Sequence, residues 1–331
     1  MTSIALLVVN YRSSALALDA IRSARAATSR QLRVVAVDNS VDPAEAEKLR
    51  GAADMVIASA ANAGYAAAIN AGRRACDADL IVVSNPDVRF AAGAIDALAG
   101  AGAAVAGPAL FWDDAHRWLL PPSELHTRTE VADRAVASRW RVWADRRGRR
   151  RFRARLAFWE LERTTRVRAI SGAVMAIRAK AFDDAGGFDE RFRLYFEEND
   201  FLRRVRGEIA YVPAARCRHL YNQSAAGSAE AAALYAQSEA EYLRKWGGAF
   251  AKRFERVIER SQRPTANGQQ PTFITEASPL PTFETAAGFL GDTDDVPDDV
   301  WRAYRGEVLY MRSLTRDGRV LRSWTRHRIP A

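Results

Sequence analysis

The sequence predicts an α/β fold: a Rossmann-like domain on a mostly parallel sheet, with helical additions and a small C-terminal β-rich module. Three observations lead there. Short apolar runs alternate with stretches of helical spacing from Ile4 to Ser84. Several of those runs stop at a polar residue, at Asn10, Asp38 or Asn85, as strands do at the carboxyl edge of a parallel sheet. The 331 residues, 48% of them hydrophobic, are enough for one large core and a smaller appended unit.

Taken in order, Ile4 to Asn10 reads as a buried strand, and Ala15 to Ala27 as a helix through Leu16, Leu18, Ile21 and Ala24. Leu32 to Val37 is a second strand, and Asp42-Pro43 suits a helix start because a polar cap precedes a proline with preset φ. Met55 to Ala58 is a short third strand, Ala66 to Arg74 an alanine-rich helix, and Leu80 to Ser84 a fourth strand. Ala91 to Trp112 reads as helix, turn and strand, since Asp96 and Pro108 argue against a membrane span. Residues 1–115 therefore form the first half of the domain and residues 116–228 the second. In the second half Trp118 to Pro122 reads as a loop, Arg- and Trp-rich residues 132–168 as a partly helical insert, and Val167 to Arg178 as sheet. Phe192 to Arg206 has helical composition and Ala210 to His219 returns to strand and loop. Residues 229–262 read as two helices broken at Gly247-Gly248, and residues 270–331 as the β-rich module, with a hairpin around Asp317-Gly318.

A net charge of +9 admits nucleic acid, an anionic membrane surface or a phosphate-rich substrate. Cys76 and Cys217 stand far apart without a CxxC pattern, which excludes a disulfide framework and a structural zinc site and fits a reducing compartment. The first residues, Met1 to Val9, lack a basic leader and are β-branched, so a strand and a cytoplasmic protein are expected rather than a secretory signal.

Motifs then recur in a fixed order: Val9-Asn10-Tyr11, Val37-Asp38-Asn39-Ser40, Asn62-Ala63-Gly64-Tyr65 with Asn70, and Asn85-Pro86-Asp87-Val88. Ser171-Gly172-Ala173, Gly187-Phe188-Asp189, Phe196-Glu197-Glu198-Asn199-Asp200 and His219 with Ser224 follow. Each is short enough to occur by chance, but their ordered recurrence on one α/β pattern is not. From about residue 4 to 250 the chain resembles a family 2 glycosyltransferase, an inverting enzyme of the GT-A fold, nearest the rhamnosyltransferase-like group.

That resemblance implies a nucleoside diphosphate leaving an anomeric carbon while an acceptor hydroxyl attacks from the opposite face. The leaving diphosphate asks for a hard divalent cation, Mg²⁺ or Mn²⁺, with Asp87 as its ligand. Asn85 stands where the family's DxD-like element has its first acid. By the same resemblance Glu198 is the general base, a glutamate where aspartate is commoner, with Glu197 and Asp200 in reserve. His219 matches a metal- or diphosphate-contacting position, Gly172 the floor of the donor–acceptor junction, and Asn62 and Gly64 a loop that lets backbone approach the nucleotide. Asp38 can accept from the imide N–H of uracil or thymine, and Asn10 and Tyr11 sit where a base could stack. Arg204 pairs with Asp200 or with phosphate.

Plainer readings stand beside these. Asp87 could cap a turn after Pro86, Asp38 could cap the next helix, and Tyr11 could be packing. The acidic cluster could serve a helix macrodipole, a lone histidine is commonly structural, and small residues around Gly172 could reflect close strand packing. For residues 132–168 the interleaving of arginine with Trp140, Trp143, Phe152, Phe158 and Trp159 suits an anionic membrane surface, a solvated basic face or, with less support, nucleic acid. No nucleic-acid motif accompanies it. The expected activity is transfer of a sugar, from a dTDP- or UDP-sugar and with dTDP-rhamnose as the specific candidate, to a glycan or a polyprenyl-diphosphate-linked acceptor in cell-surface polysaccharide synthesis. The site would face the cytoplasm, with the enzyme peripheral on the inner face of the plasma membrane. The alternatives are a non-catalytic nucleotide-sugar or carbohydrate-binding protein, and a nucleotidyltransferase, whose glycine-rich, lysine-bearing loop is missing near the N-terminus.

Overall fold

The computed structural model describes residues 2–220, 229–246 and 273–328. Strand β1 (Ile4–Asn10), buried at every position, lies between β2 (Leu32–Asp38) and β4 (Leu80–Ser84) and pairs with both in parallel, while β3 (Met55–Ala58) extends the sheet beyond β2. The connections are helices α1 (Ser14–Ala26), α2 (Pro43–Leu49) and α3 (Tyr65–Arg74). Because strand side chains alternate between faces, Leu6 and Val8 of β1 pack with Ala17 and Ile21 of α1, and Leu7 and Val9 pack with Ala66 and Ile69 of α3. Two apolar layers therefore enclose the sheet, and its polar strand ends collect at one edge.

Beyond β4 come β5 (Val88–Phe90), α4 (Ala94–Gly100), β6 (Val105–Phe111), β7 (Trp118–Leu119), α5 (Arg128–Ala137), α6 (Arg141–Trp159) and β8 (Thr165–Arg166). Then follow β9 (Val174–Arg178), α7 (Ala179–Asp184), α8 (Glu197–Arg204), β10 (Ile209–His219) and α9 (Ala229–Trp246). The last elements are β11 (Phe273–Ser278), β12 (Ala287–Phe289), α10 (Asp298–Ala303), β13 (Val308–Thr315) and β14 (Val320–His327). Among the described residues the fourteen strands form one sheet in the order β14-β13-β11-β12-β7-β6-β9-β4-β1-β2-β3, with β10 pairing β5, β6 and β8. Strands β4, β1, β2 and β3 pair in parallel; from β9 outward the main path is antiparallel.

Several expectations are corrected here. Trp118-Leu119 is not loop but a short strand, and it joins β6 to β12, so the C-terminal strands continue the central sheet. Helix does not begin at Phe192: Tyr195 and Phe196 have φ of +68° and +67°, so α8 can start only at Glu197. Of the two helices expected in residues 229–262, the first is α9, while the break at Gly247-Gly248 and the second lie outside the described residues, as does Ser224. The hairpin at Asp317-Gly318 is present as β13–β14.

Residues 132–168 are not a uniform basic surface. Phe152, Leu156 and Trp159 of α6 are buried with Ile274 and Leu314 of the C-terminal strands. Beside them Arg155 donates to Glu276 Oε1 through Nε at 3.1 Å and Nη2 at 2.5 Å, and Arg312 Nε donates to Glu276 Oε2 at 2.7 Å. Arg155 and Glu276 are almost fully buried, and the one carboxylate bridges two guanidinium groups and fixes α6 to β11 and β13. Replacing Glu276 by alanine strands those charges; denaturant unfolding should show a loss of about 3–5 kcal/mol, against well under half of that for Arg312→Leu, whose partner Arg155 still neutralises Glu276.

Candidate active site

Asn10 and Asp38 are register partners at the ends of β1 and β2, so their side chains meet. Asn10 Nδ2 donates to Asp38 Oδ1 at 2.8 Å, and Ser40 Oγ donates to the same oxygen at 2.6 Å. Asn10 Oδ1 in turn accepts from Ser13. Glu45 receives Asn10, Ser14 and Lys48; these bonds, Lys48's foremost, bring its carboxyl down to about 2 against the opposing effect of burial. The capping alternative for Asp38 is answered by Asp42, whose side chain accepts from Ala44 N at 2.9 Å. Tyr11 is 48% exposed, so its ring is not core packing, and the Arg12 guanidinium lies 5.5 Å from its centroid. The result is a rigid polar shelf with an exposed aromatic ring beside it.

At the end of β4, Asp87 precedes β5, whose Val88 pairs with His219 of β10. That antiparallel pairing sets Asp87 Oδ1 3.3 Å from His219 Nε2. Burial raises the Asp87 carboxyl, but the charge and hydrogen bond of His219 outweigh it and leave the group below its ordinary value. Asn85 N donates to Ala173 O at 2.9 Å, which ties this loop to Ser171-Gly172-Ala173.

Gly172 then carries the site to α8. A Cβ there would stand 3.0 Å from Glu198 Cγ, tighter than ordinary contact, so the bare glycine is what admits the glutamate side chain. Glu198 Oε1 accepts from Asn199 Nδ2 at 2.8 Å. Burial raises its carboxyl, and raises that of neighbouring Glu197 further, with the charge of Glu198 adding to the effect. Glu197 Oε2 and the Tyr65 hydroxyl are buried without a hydrogen-bond partner. The Tyr65 phenol is pushed up first by burial and then by the charges of Glu197, Glu198 and Asp87, so all three carboxylates act on one point. Tyr65 belonged to a recognised motif yet was not read as a site residue; a tyrosine at a helix start carries no signal that its hydroxyl will end beside three acids. Two consecutive bulky residues with positive φ immediately before Glu197 are backbone strain of the kind that clusters at functional sites.

Other expected site residues point elsewhere. Asp200 is fully buried and its oxygens are taken: Oδ2 by Arg204 Nε at 2.8 Å, Oδ1 by Trp246 Nε1 at 2.8 Å and Lys245 Nζ at 2.6 Å. It anchors α8 to α9, so its reserve role as base is set aside. Arg204 takes the Asp200 alternative and donates also to the carbonyls of Ala185 and Gly187, which leaves phosphate out. Gly64, with φ of +94°, makes room for the Arg193 backbone, since a Cβ would lie 2.5 Å from Arg193 O. Asn62 Oδ1 accepts from Gly64 N at 3.1 Å and Gly64 O accepts from Asn39 Nδ2 at 3.0 Å, so this loop is tied both to the segment before α8 and to the shelf beside Asp38.

Among the described residues no group of three or more His, Cys, Asp or Glu side chains is arranged to hold a metal. The pair Asp87 and His219 still fits a cation that draws the rest of its shell from phosphate oxygens and water, as nucleotide-bound Mg²⁺ and Mn²⁺ do. The imidazole makes the donor set softer than an all-oxygen one, which favours Mn²⁺ of the two.

Residues 5–157 match the family model described as Glycosyl transferase family 2. Two curated relatives, the N-acetylglucosaminyl-diphospho-decaprenol L-rhamnosyltransferases of Mycobacterium tuberculosis strains CDC 1551 / Oshkosh and ATCC 25618 / H37Rv, are each 29% identical over 239 residues, spanning 66% of this chain and 75% of theirs. Among solved structures, that of GalNAc-T7 with UDP, GalNAc and Mn²⁺ aligns over 81% of this chain with a TM-score of 0.51 and 14% identity, a likeness of fold. The alignment takes in 52% of that protein, so this chain spans about half of its length.

The buried Glu197 has a stability consequence with a definite sign. Its folded-state value lies above the ordinary 4.5, so the unfolded chain releases the proton more easily. Below about that value both states are protonated and nothing is lost; as pH rises above it, ionisation favours unfolding. Glu197→Gln should therefore raise Tm at pH 7 to 8 and leave it nearly unchanged at pH 4, measured by thermal unfolding across pH.

Proposed function

We propose that this chain, whose residues 5–157 match the model of glycosyl transferase family 2, catalyses inverting transfer of a sugar from a nucleoside diphosphate to an acceptor hydroxyl. The observation that carries the proposal is the cluster itself: Asp87 with His219 on one side of Ser171-Gly172-Ala173, and Glu198 on the other. The relatives' names favour rhamnose as the sugar, which dTDP-rhamnose would deliver, and a polyprenyl-diphosphate-linked glycan as the acceptor. Such an acceptor belongs to cell-surface polysaccharide synthesis and lies in a membrane, so the enzyme would work from the cytoplasm as a peripheral protein of the inner face. Among the described residues no helix is long and apolar enough to cross a membrane.

In this mechanism Asn10, fully buried with both ends of its amide engaged, acts only by positioning Asp38, whose Oδ2 accepts from the pyrimidine's imide N–H, while the Tyr11 ring covers the base. Asp87 and His219 would hold the divalent cation, whose charge offsets the negative charge building on the leaving diphosphate. Glu198 accepts the proton of the acceptor hydroxyl as its oxygen bonds to the anomeric carbon from the face opposite the diphosphate. The bond from that carbon to the phosphate oxygen breaks, and the nucleoside diphosphate leaves with the electron pair. Burial suits Glu198 to this task, because a carboxylate raised above its ordinary value is a stronger base once ionised.

A panel of UDP-, dTDP- and GDP-sugars, scored for nucleoside diphosphate release with an acceptor present, should give release from a dTDP- or UDP-sugar, more with Mn²⁺ than Mg²⁺, and none after chelation. Asp87→Ala should abolish it, and Glu198→Gln should lower kcat by about 10²–10⁴; turnover that survives Glu198→Gln would move the base elsewhere. The pH profile supplies a separate check. Since Glu198 must be ionised, kcat/KM should fall toward acid with a midpoint above 4.5; a midpoint at or below that value would contradict a buried base.

A further inference from the structure

Three large apolar side chains stand in solvent within four residues at the turn from α5 into α6: Trp140 and Val142, 67% and 68% exposed, and Trp143, 39% exposed. Arg139, Arg141 and Arg146 flank them, all exposed; Asp145 is an exposed acid beside them, and Asp133, itself paired with Arg147 and Arg150, accepts from the Trp143 indole N–H at 2.8 Å. The rest of α6 behaves differently. Arg147 is buried against Asp133 at 3.1 Å and Glu284 at 3.0 Å, Arg151 pairs with Glu124 and Glu130, and Arg155 with Glu276. Those three arginines hold the helix in the protein and are not available to a partner.

We propose that the α5–α6 corner is a docking surface for an anionic bilayer, with Trp140, Val142 and Trp143 entering the headgroup region and Arg139, Arg141 and Arg146 meeting lipid phosphates. Cationic side chains interleaved with tryptophan match an interface that is negatively charged outside and apolar beneath. Water alone gives no reason for so concentrated an apolar exposure. The position in the fold agrees. Helix α5 has 10 residues, roughly 15 Å of rise. Its far end adjoins His126, whose ring lies 4.8 Å from that of Phe196 and whose carbonyl accepts from Arg203 of α8 at 3.0 Å. One end of α5 is thus at the wall beside Glu198 and the other at the proposed membrane, so a single helix joins the docking surface to the acceptor side of the cleft. For the acceptor it serves, the inference rests on the proposed function; for the surface itself it does not.

The experiment is co-sedimentation of the full chain with phosphatidylglycerol vesicles and with phosphatidylcholine vesicles at physiological salt, without donor or acceptor. Retention is expected on the anionic vesicles alone and should fall with added salt. The triple substitution Arg139→Gln, Arg141→Gln, Arg146→Gln should weaken it by about fivefold per arginine, on the order of a hundredfold in all. Trp140→Ser with Val142→Ser should abolish retention while leaving the circular dichroism and nucleoside diphosphate release with a water-soluble acceptor unchanged, and Val41→Ser, exposed on the loop after β2, should leave retention unchanged. Retention that is absent, or that survives both corner variants, overturns the proposal. So does retention lost only with the arginines while a single-stranded RNA binds equally well, because that marks a general basic surface. Absence of release from every sugar nucleotide would count against the transferase reading and leave the vesicle result standing.

Discussion

The burial of β1 on both faces is the constraint from which the rest follows. A strand with apolar side chains above and below cannot reach water for its backbone, so it must have a paired neighbour on each side, and β2 and β4 take those places in parallel. Parallel pairing sends the chain back through helices, and it leaves the strand ends pointing one way. Asn10 and Asp38 are consequently neighbours by register, and the loop after β4 opens at the same edge. The shelf there is stiffened by hydrogen bonds among Asn10, Asp38, Ser40 and Glu45 before any ligand arrives.

The second half of the cleft depends on a different device. Helix α8 presents Glu197 and Glu198 with little counter-charge, which is costly, and it begins at two residues in the left-handed region, which adds strain. Its stability comes from behind. Asp200, on the face away from the cleft, gathers Arg204, Lys245 and Trp246, while Phe192, Phe196 and Tyr242 pack between α8 and α9. One short acidic sequence therefore does two opposed jobs: its first carboxylates are left without a cation partner where chemistry is proposed, and its last is held by Arg204, Lys245 and Trp246 to keep them there.

The arginines of α6 divide in the same way. Seen as composition they form one basic stretch, but Arg147, Arg151 and Arg155 are consumed by acids from α5, the preceding loop and the C-terminal strands. The C-terminal strands, by continuing the sheet through β12 and β7, act as the frame on which α6 and its exposed corner are mounted.

The sequence by itself determined the order and kind of the elements up to β4, because burial on both faces demands continuous apolar runs and helix starts such as Asp42-Pro43 have local causes. It also determined the candidate residues Asp87, Glu198 and His219, through motifs whose order is more telling than any one of them. What the tertiary structure alone decided is which acids are free to react. Glu197, Glu198 and Asp200 lie in one acidic run along the chain, with Asp200 a reserve for the base, and only the arrival of Lys245 and Trp246 from α9 shows Asp200 to be an anchor. Likewise the need for glycine at position 64 shows only once the Arg193 backbone is found against it, and Trp118-Leu119 looks like loop until β12 pairs with it. In each case the deciding partner is distant in sequence, and a side chain's hydrogen-bonding and charge state follow from what is packed against it rather than from its neighbours along the chain.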